Sequence, residues 1–226
     1  MEIIVAMLIA FICGCFAYAT LNINISRKIP ALYKNDDEDV KKMQLSSGFI
    51  YILVAFILLS SGITSYSILT YVSDWLNISK TLFMLVIVTG SACFDLREHR
   101  IPNIFTGVLF VFGIASLVIG FVISQDGALS YVVSSVFACA GCTLALIVVS
   151  FFTKQGIGAG DIKLLAAIAI TGGVALICGV MFFSVIYCAI CAIFLLVTKK
   201  QSRKDLLPFG PFIYLGFITS ILLIDY

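Results

Sequence analysis

The chain has 226 residues, 62% of them hydrophobic and only 12% charged, with a formal net charge of +2. A soluble domain of this size could not bury so much apolar side chain, so lipid must be the solvent for most of the molecule. The small net charge and the absence of any basic, aromatic-rich segment give no footprint for nucleic acid, and no nucleic-acid partner is expected.

The apolar stretches are long and continuous rather than alternating. Backbone groups inside a bilayer must be satisfied within the protein, which leaves helices or a closed barrel, and continuous runs select helices. The first predicted span is Ile3 to Leu21. Met1-Glu2-Ile3 lacks the positive n-region of a cleaved signal peptide, so this span is expected to be retained. A polar segment from Asn22 to about Gln44 follows, with an acidic run at Asp36 to Asp39 that reads as a solvated loop. The second span is Ser47 to Val72. A short connection then holds Asp74, Trp75 and Lys80; Tyr71 and Trp75 suit a membrane interface. The third run, Thr81 to Phe94, ends at Asp95, and the fourth, Ile104 to Ile123, is opened by Pro102, a residue suited to a first helical turn. Ser124-Gln125-Asp126-Gly127 forms a tight turn before the fifth run, Ala128 to Phe152. Ile162 to Ile170 is too short to span alone. Thr171-Gly172-Gly173 breaks it, Val174 to Val197 makes a full span, and Phe209 to Ile224 is the last. The expected fold class is an all-α polytopic membrane protein of about eight helical segments, a single integral domain over residues 1–226.

Charge orients this layout. With the N-terminus outside and the spans alternating, the loops at 22–45, 95–102, 153–163 and 198–208 share one face. They hold Arg27, Lys28, Lys34, Lys41, Lys42, Arg97, Arg100, Lys154, Lys163, Lys199, Lys200, Arg203 and Lys204, which is 13 of the 14 Lys and Arg residues, leaving only Lys80 on the other side. By the positive-inside rule that face is cytoplasmic. It also carries Asp95 and Asp161, and two carboxylates on opposite faces could not form one site.

A carboxylate at the edge of a hydrocarbon layer is costly, by roughly 2.5–3.5 kcal/mol at a helix centre, and is a functional-site candidate by default. Asp95 lies in Cys93-Phe94-Asp95-Leu96-Arg97-Glu98-His99-Arg100-Ile101-Pro102-Asn103, and Asp161 in Gly156-Ile157-Gly158-Ala159-Gly160-Asp161-Ile162-Lys163. Two carboxylates close together share a proton. The charged member can take a proton from water while the neutral one polarises a carbonyl, which is general acid–base hydrolysis of an amide. Gly156, Gly158 and Gly160 allow close approach of a second chain. The plainer reading of this segment is a glycine-rich connection whose Asp161 caps the next helix. Lys163 could bind a carbonyl, act on an aspartate or anchor the helix at headgroups.

Other chemistries are poorly served. His99 is the only histidine; it reads as a solvated loop residue with no paired serine or cysteine motif, and neither HExxH nor Gly-x-Ser-x-Gly occurs. The eight cysteines all lie in apolar runs. Cys139-Ala140-Gly141-Cys142 and Cys188-Ala189-Ile190-Cys191 have CxxC spacing, but mid-span and without a neighbouring histidine they read as helix-packing residues rather than zinc or redox pairs.

Asp95 followed by Arg100-Ile101-Pro102-Asn103, then Gly158-Ala159-Gly160-Asp161-Ile162-Lys163, resembles the type IV prepilin peptidases, the GxGD class of membrane aspartyl proteases. Leu207-Pro208-Phe209-Gly210-Pro211-Phe212 with Leu215-Gly216 resembles the start of their last helix, and Leu21-Asn22 with Ser26-Arg27 and Pro30 more weakly the motif closing their first. The resemblance implies an aspartic endopeptidase of the inner membrane, serving a type IV pilus or protein secretion. It would remove the short basic leader of prepilins or pseudopilins at the cytoplasmic face, cutting after a glycine. Asp95 and Asp161 match the catalytic pair; Gly158, Gly160, Lys163, Arg100, Pro102 and Asn103 match positions that shape the site or bind substrate. It divides the chain into a shortened N-terminal region, 1–80, and a protease core, 81–226. Many bacterial members carry two cytoplasmic CxxC pairs that form a zinc site and N-methylate their product with S-adenosylmethionine. The loop from Asn22 to Gln44 is short and has no cysteine. Zinc is therefore not expected, proteolysis needs no cofactor, and S-adenosylmethionine enters only if methylation is retained.

Two readings from other classes compete. A small transporter or channel would use Asp95 and Asp161 for proton or cation coupling, although both acids lie at one face rather than at the midplane. A non-catalytic subunit of a pilus or secretion machine would keep its function when either aspartate is neutralised. The oligomeric state and the particular precursor are not written in the sequence.

Overall fold

The computed structural model describes residues 2–22, 47–72, 74–123, 128–152, 158–198 and 207–223. Most of the 22–45 loop with its acidic run, the Ser124–Gly127 turn, Gly156 and most of the 198–208 loop lie outside the described residues.

Among the described residues there are seven helices: α1 (Glu2–Asn22), α2 (Ser47–Tyr71), α3 (Trp75–Glu98), α4 (Asn103–Ile123), α5 (Ala128–Phe152), α6 (Ala159–Val197) and α7 (Gly210–Leu223). Five of them, α2 to α6, are long and apolar enough to cross a membrane. The molecule is an all-helical, multi-pass membrane protein. Its polarity is distributed accordingly. Ile52, Val111, Val122 and Phe137 face outward, whereas Ser61, Ser65, Thr89, Ser91, Thr171, Ser184 and Ser220 are buried. These buried hydroxyls turn back onto carbonyls four residues earlier in their own helices. That satisfies a donor that lipid could not.

The third span is longer than the apolar run suggests. It starts at Trp75 rather than Thr81 and continues past Asp95 to Glu98. Lys80 therefore does not lie in an outer connection. It occupies the second turn of α3, 4% exposed, with its charge held by Tyr131 of α5 at 2.9 Å. The loop after Asp95 shrinks to His99–Pro102. His99 closes α3 in the left-handed conformation at φ 50°, its N–H donating to the Asp95 carbonyl at 2.9 Å. Pro102 stands just ahead of α4 rather than inside it, its carbonyl accepting the Phe105 N–H at 3.1 Å. So short a loop makes α3 and α4 antiparallel neighbours, and Phe94–Phe105 and Phe83–Phe112 ring pairs join them.

The predicted break in the sixth run is present. Gly173 has φ 78° and ψ −174°, a conformation closed to other residues. A straight helix of this length would run about 58 Å, nearly twice the hydrocarbon thickness. Instead the segment beyond the break lies along α5 in the same sense: Gly173 sits by Tyr131 and Ser135, and Met181 touches Cys142. Since α5 ends only a few residues before Gly158, the second half of α6 heads back toward the end from which the first half came. α7 packs against it where Gly216 meets Ser184 and the Val180 carbonyl. α1 and α2 pair through Gly14 against Leu58, and Ser60 of α2 bonds Tyr214 of α7 at 2.8 Å.

Candidate active site

Asp95 sits one turn before the end of α3, and Asp161 is in the first turn of α6. The α3–α4 loop joins them, because Gly160 packs on Ile101: a Cβ at Gly160 would stand 3.1 Å from the Ile101 Cβ. Both carboxylates are buried, 5% and 9% exposed, and they lie within electrostatic reach of each other.

Their partners differ. The Asp95 Oδ2 accepts the Gly210 N–H at 2.7 Å, with the Phe209 amide alongside and His99 near enough to act on its charge. The N-terminal end of α7 thus points its free amides at Asp95. No side chain fits at position 210: a Cβ there would stand 2.8 Å from the Asp95 Cβ and 3.0 Å from Oδ2. Asp161 follows Gly158, the residue preceding α6, whose amide reaches back to the Asp161 carboxylate in half of a capping box. The plainer reading of Asp161 as a helix cap is thus partly realised. Its other oxygen, Oδ1, is buried with no hydrogen-bond partner among the described residues. An orphaned carboxylate oxygen is costly, and beside a second carboxylate it is an open position for a proton, a water or a substrate group.

The remaining expected residues divide. Gly158 lies against the Asp161 carboxylate, and Gly160 against Ile101. Lys163 donates to Asn103 Oδ1 at 3.0 Å, linking the first turns of α6 and α4 rather than reaching an aspartate. Pro102 is half-buried in the loop and Arg100 is exposed on it. Gly210 is the residue that sequence reasoning did not place in the site, although Phe209-Gly210-Pro211 had marked the start of the last helix. The cysteines form no metal cradle: no group of three or more His, Cys, Asp or Glu is gathered among the described residues, and Cys142 packs on Met181.

The sequence profile of the type IV leader peptidase family matches residues 81–193, half of the chain, and that stretch holds both aspartates. The chain belongs to the type IV leader peptidase family. It is also 37% identical over 79 residues to the prepilin leader peptidase/N-methyltransferase of Bacillus subtilis (strain 168). That alignment covers 35% of this chain and 32% of the relative, so the match spans about a third of the relative's length. No solved structure matches the chain. The matched stretch ends before α7, so the bond from Gly210 to Asp95 lies outside it.

Proposed function

We propose that the chain is a membrane aspartic endopeptidase that removes the short basic leader of type IV prepilins or pseudopilins. The observation that carries this reading is the buried pair Asp95 and Asp161, in a chain of the leader peptidase family, with Asp161 Oδ1 unpartnered among the described residues. In the proposed reaction the ionised member of the pair takes a proton from a water whose oxygen attacks the scissile carbonyl carbon. The protonated member meanwhile donates to the carbonyl oxygen. The resulting diol collapses as the leaving amine receives a proton, and no covalent enzyme intermediate forms. The cut follows a glycine. Gly158, exposed beside the Asp161 carboxylate, keeps one side of the pair low enough for an extended peptide to approach, while Gly160 lets α6 close on Ile101.

The charge asymmetry of the loops supports an inner-membrane protein with this pair at the cytoplasmic face. The substrate would then enter as a transmembrane helix with its basic leader beside the pair. Proteolysis on this scheme needs no cofactor. N-methylation is doubtful, because the N-terminal loop lacks the cysteines that accompany it in many relatives.

The test is co-expression with a candidate prepilin, reading the gel shift of leader removal and, in parallel, methyl transfer to the new terminus. Leader removal by the unmodified chain is expected, and none by membrane-inserted Asp95→Asn or Asp161→Asn. Undiminished trimming by either variant overturns the proposal.

A further inference from the structure

The half-helix carrying Asp161 is uncoupled from its continuation by the break at Gly173. Helix continuity therefore does not fix its position along its own axis. Packing along its length, with Leu164, Leu165, Ala167, Ile168 and Ala169 buried, and contacts at its two ends do so together. At the Asp161 end these are the Gly160–Ile101 contact and the Lys163–Asn103 bond. At the far end, the Thr171 carbonyl accepts the Tyr131 hydroxyl at 3.1 Å. Thr171 also packs on Gly113 of α4, where a Cβ would come within 2.5 Å of the Thr171 Oγ1.

The chemistry fixes the sense of these bonds. Lys80 Nζ lies 2.9 Å from Tyr131 Oη, and an ammonium only donates. Tyr131 must therefore accept from Lys80, which leaves its own proton for Thr171. The bond to Thr171 is charge-assisted through the chain. Nζ is also 4.5 Å from the centroid of the Tyr131 ring, within cation–π range. Lys80 itself is buried at the opposite end of α3 from Asp95, about 22 Å along the helix. A buried cation in a membrane span is costly and calls for a role. Here it ties the span that carries one aspartate to the half-helix that carries the other.

We propose that Lys80 and Tyr131 are positioning residues for the Asp95–Asp161 reaction, holding the far end of the Asp161 half-helix through the Thr171 carbonyl and so setting the spacing of the two carboxylates. This rests on the peptidase reading above. The test compares unmodified full-length protein with Tyr131→Phe, Lys80→Met and the double variant in proteoliposomes, using a type IV prepilin as substrate. Each single change is expected to lower kcat about 10- to 100-fold, as misplacement by about an ångström does. KM should stay within about 2-fold, because prepilin contacts are untouched. The double variant should be no slower than Tyr131→Phe alone, since the two residues act in series. Hydrogen exchange supplies a readout without substrate: amides of residues 161–165 should lose protection in both variants. Unmodified kcat in the single variants, multiplicative losses in the double, or unchanged protection overturns the brace. Should Lys80→Met fail to insert, Tyr131→Phe, which removes one oxygen, carries the test alone. Unmodified protein that leaves prepilin uncut, or active Asp161→Asn, would instead remove the peptidase reading, and exchange would then decide the brace by itself.

Discussion

Asp95 and Asp161 are neighbours in space with opposite kinds of support. Asp95 stands near the end of a long span and is held from across the fold by the Gly210 amide, 115 residues away in the chain. Asp161 stands at the start of a half-helix and is held by its own turn, with one oxygen unpartnered among the described residues. The carboxylate of one wall is thus held by a bond from across the fold and that of the other by local capping, on a half-helix whose Leu164, Leu165, Ala167 and Ile168 are themselves buried. On the proposed reaction, which brings a peptide and a water to the pair, one fixed group and one adjustable group are an advantage. The contrast makes the Asp161 wall the adjustable one.

Neutralising either carboxylate should have the largest effect, a loss of turnover on the order of 1000-fold or more, because in the proposed reaction each aspartate performs a proton transfer the other cannot perform alone. Next is a change in the fixed wall. Gly210→Ala forces a methyl against the Asp95 Cβ, which has little freedom to retreat. A loss of about 100-fold in kcat is expected. Gly158→Ala is the matching change in the adjustable wall. Its methyl would meet the Asp161 Oδ2 at 3.0 Å, the far end of a side chain that can rotate. The loss there should be nearer 10-fold. Steady-state cleavage by the two alanine variants side by side checks the contrast; equal losses, or a larger one at Gly158, would break it.

Gly173→Ala probes the break behind the adjustable wall. At φ 78° and ψ −174° an alanine is strained by about 1–3 kcal/mol. The expected outcome is a lower unfolding midpoint in detergent, with a smaller effect on cleavage than Gly210→Ala. A midpoint equal to that of unmodified protein would mean that the reversal does not need a glycine at this position.

The spans were legible because apolar length is a direct readout of lipid contact, and the break at Gly173 because paired glycines interrupt an apolar run too long for one span. The carboxylate pair was legible because acids in apolar surroundings stand out. What the sequence hid depends on partners far away in the chain. Lys80 looked like a loop residue because a lysine ends an apolar run; only Tyr131, 51 residues on, makes its burial tolerable. Phe209-Gly210-Pro211 was visible as a motif, but its contact with Asp95 follows from how α3 and α7 pack. The left-handed backbone of His99, which closes α3 one turn after Asp95, has no sequence signal beyond the modest tolerance of histidine for positive φ.

The smallest expected effect lies at the rim. Lys163 and Asn103 join the adjustable half-helix to α4 by one exposed hydrogen bond. Water competes for both groups, so the bond contributes on the order of 0.2–1 kcal/mol, and Lys163→Ala or Asn103→Ala should slow cleavage only a few-fold. If the bond is what matters, the two single variants and the double should be equally slow, and Lys163→Arg, which keeps a donor, should recover most of the rate. If Lys163→Ala is much worse than Asn103→Ala, the ammonium acts on something else, and the natural candidate is the peptide lying between the two walls. Because both residues sit outside the buried pair, either result leaves the contrast between Asp95 and Asp161 intact. It decides only whether the adjustable wall is latched to α4 or to its substrate.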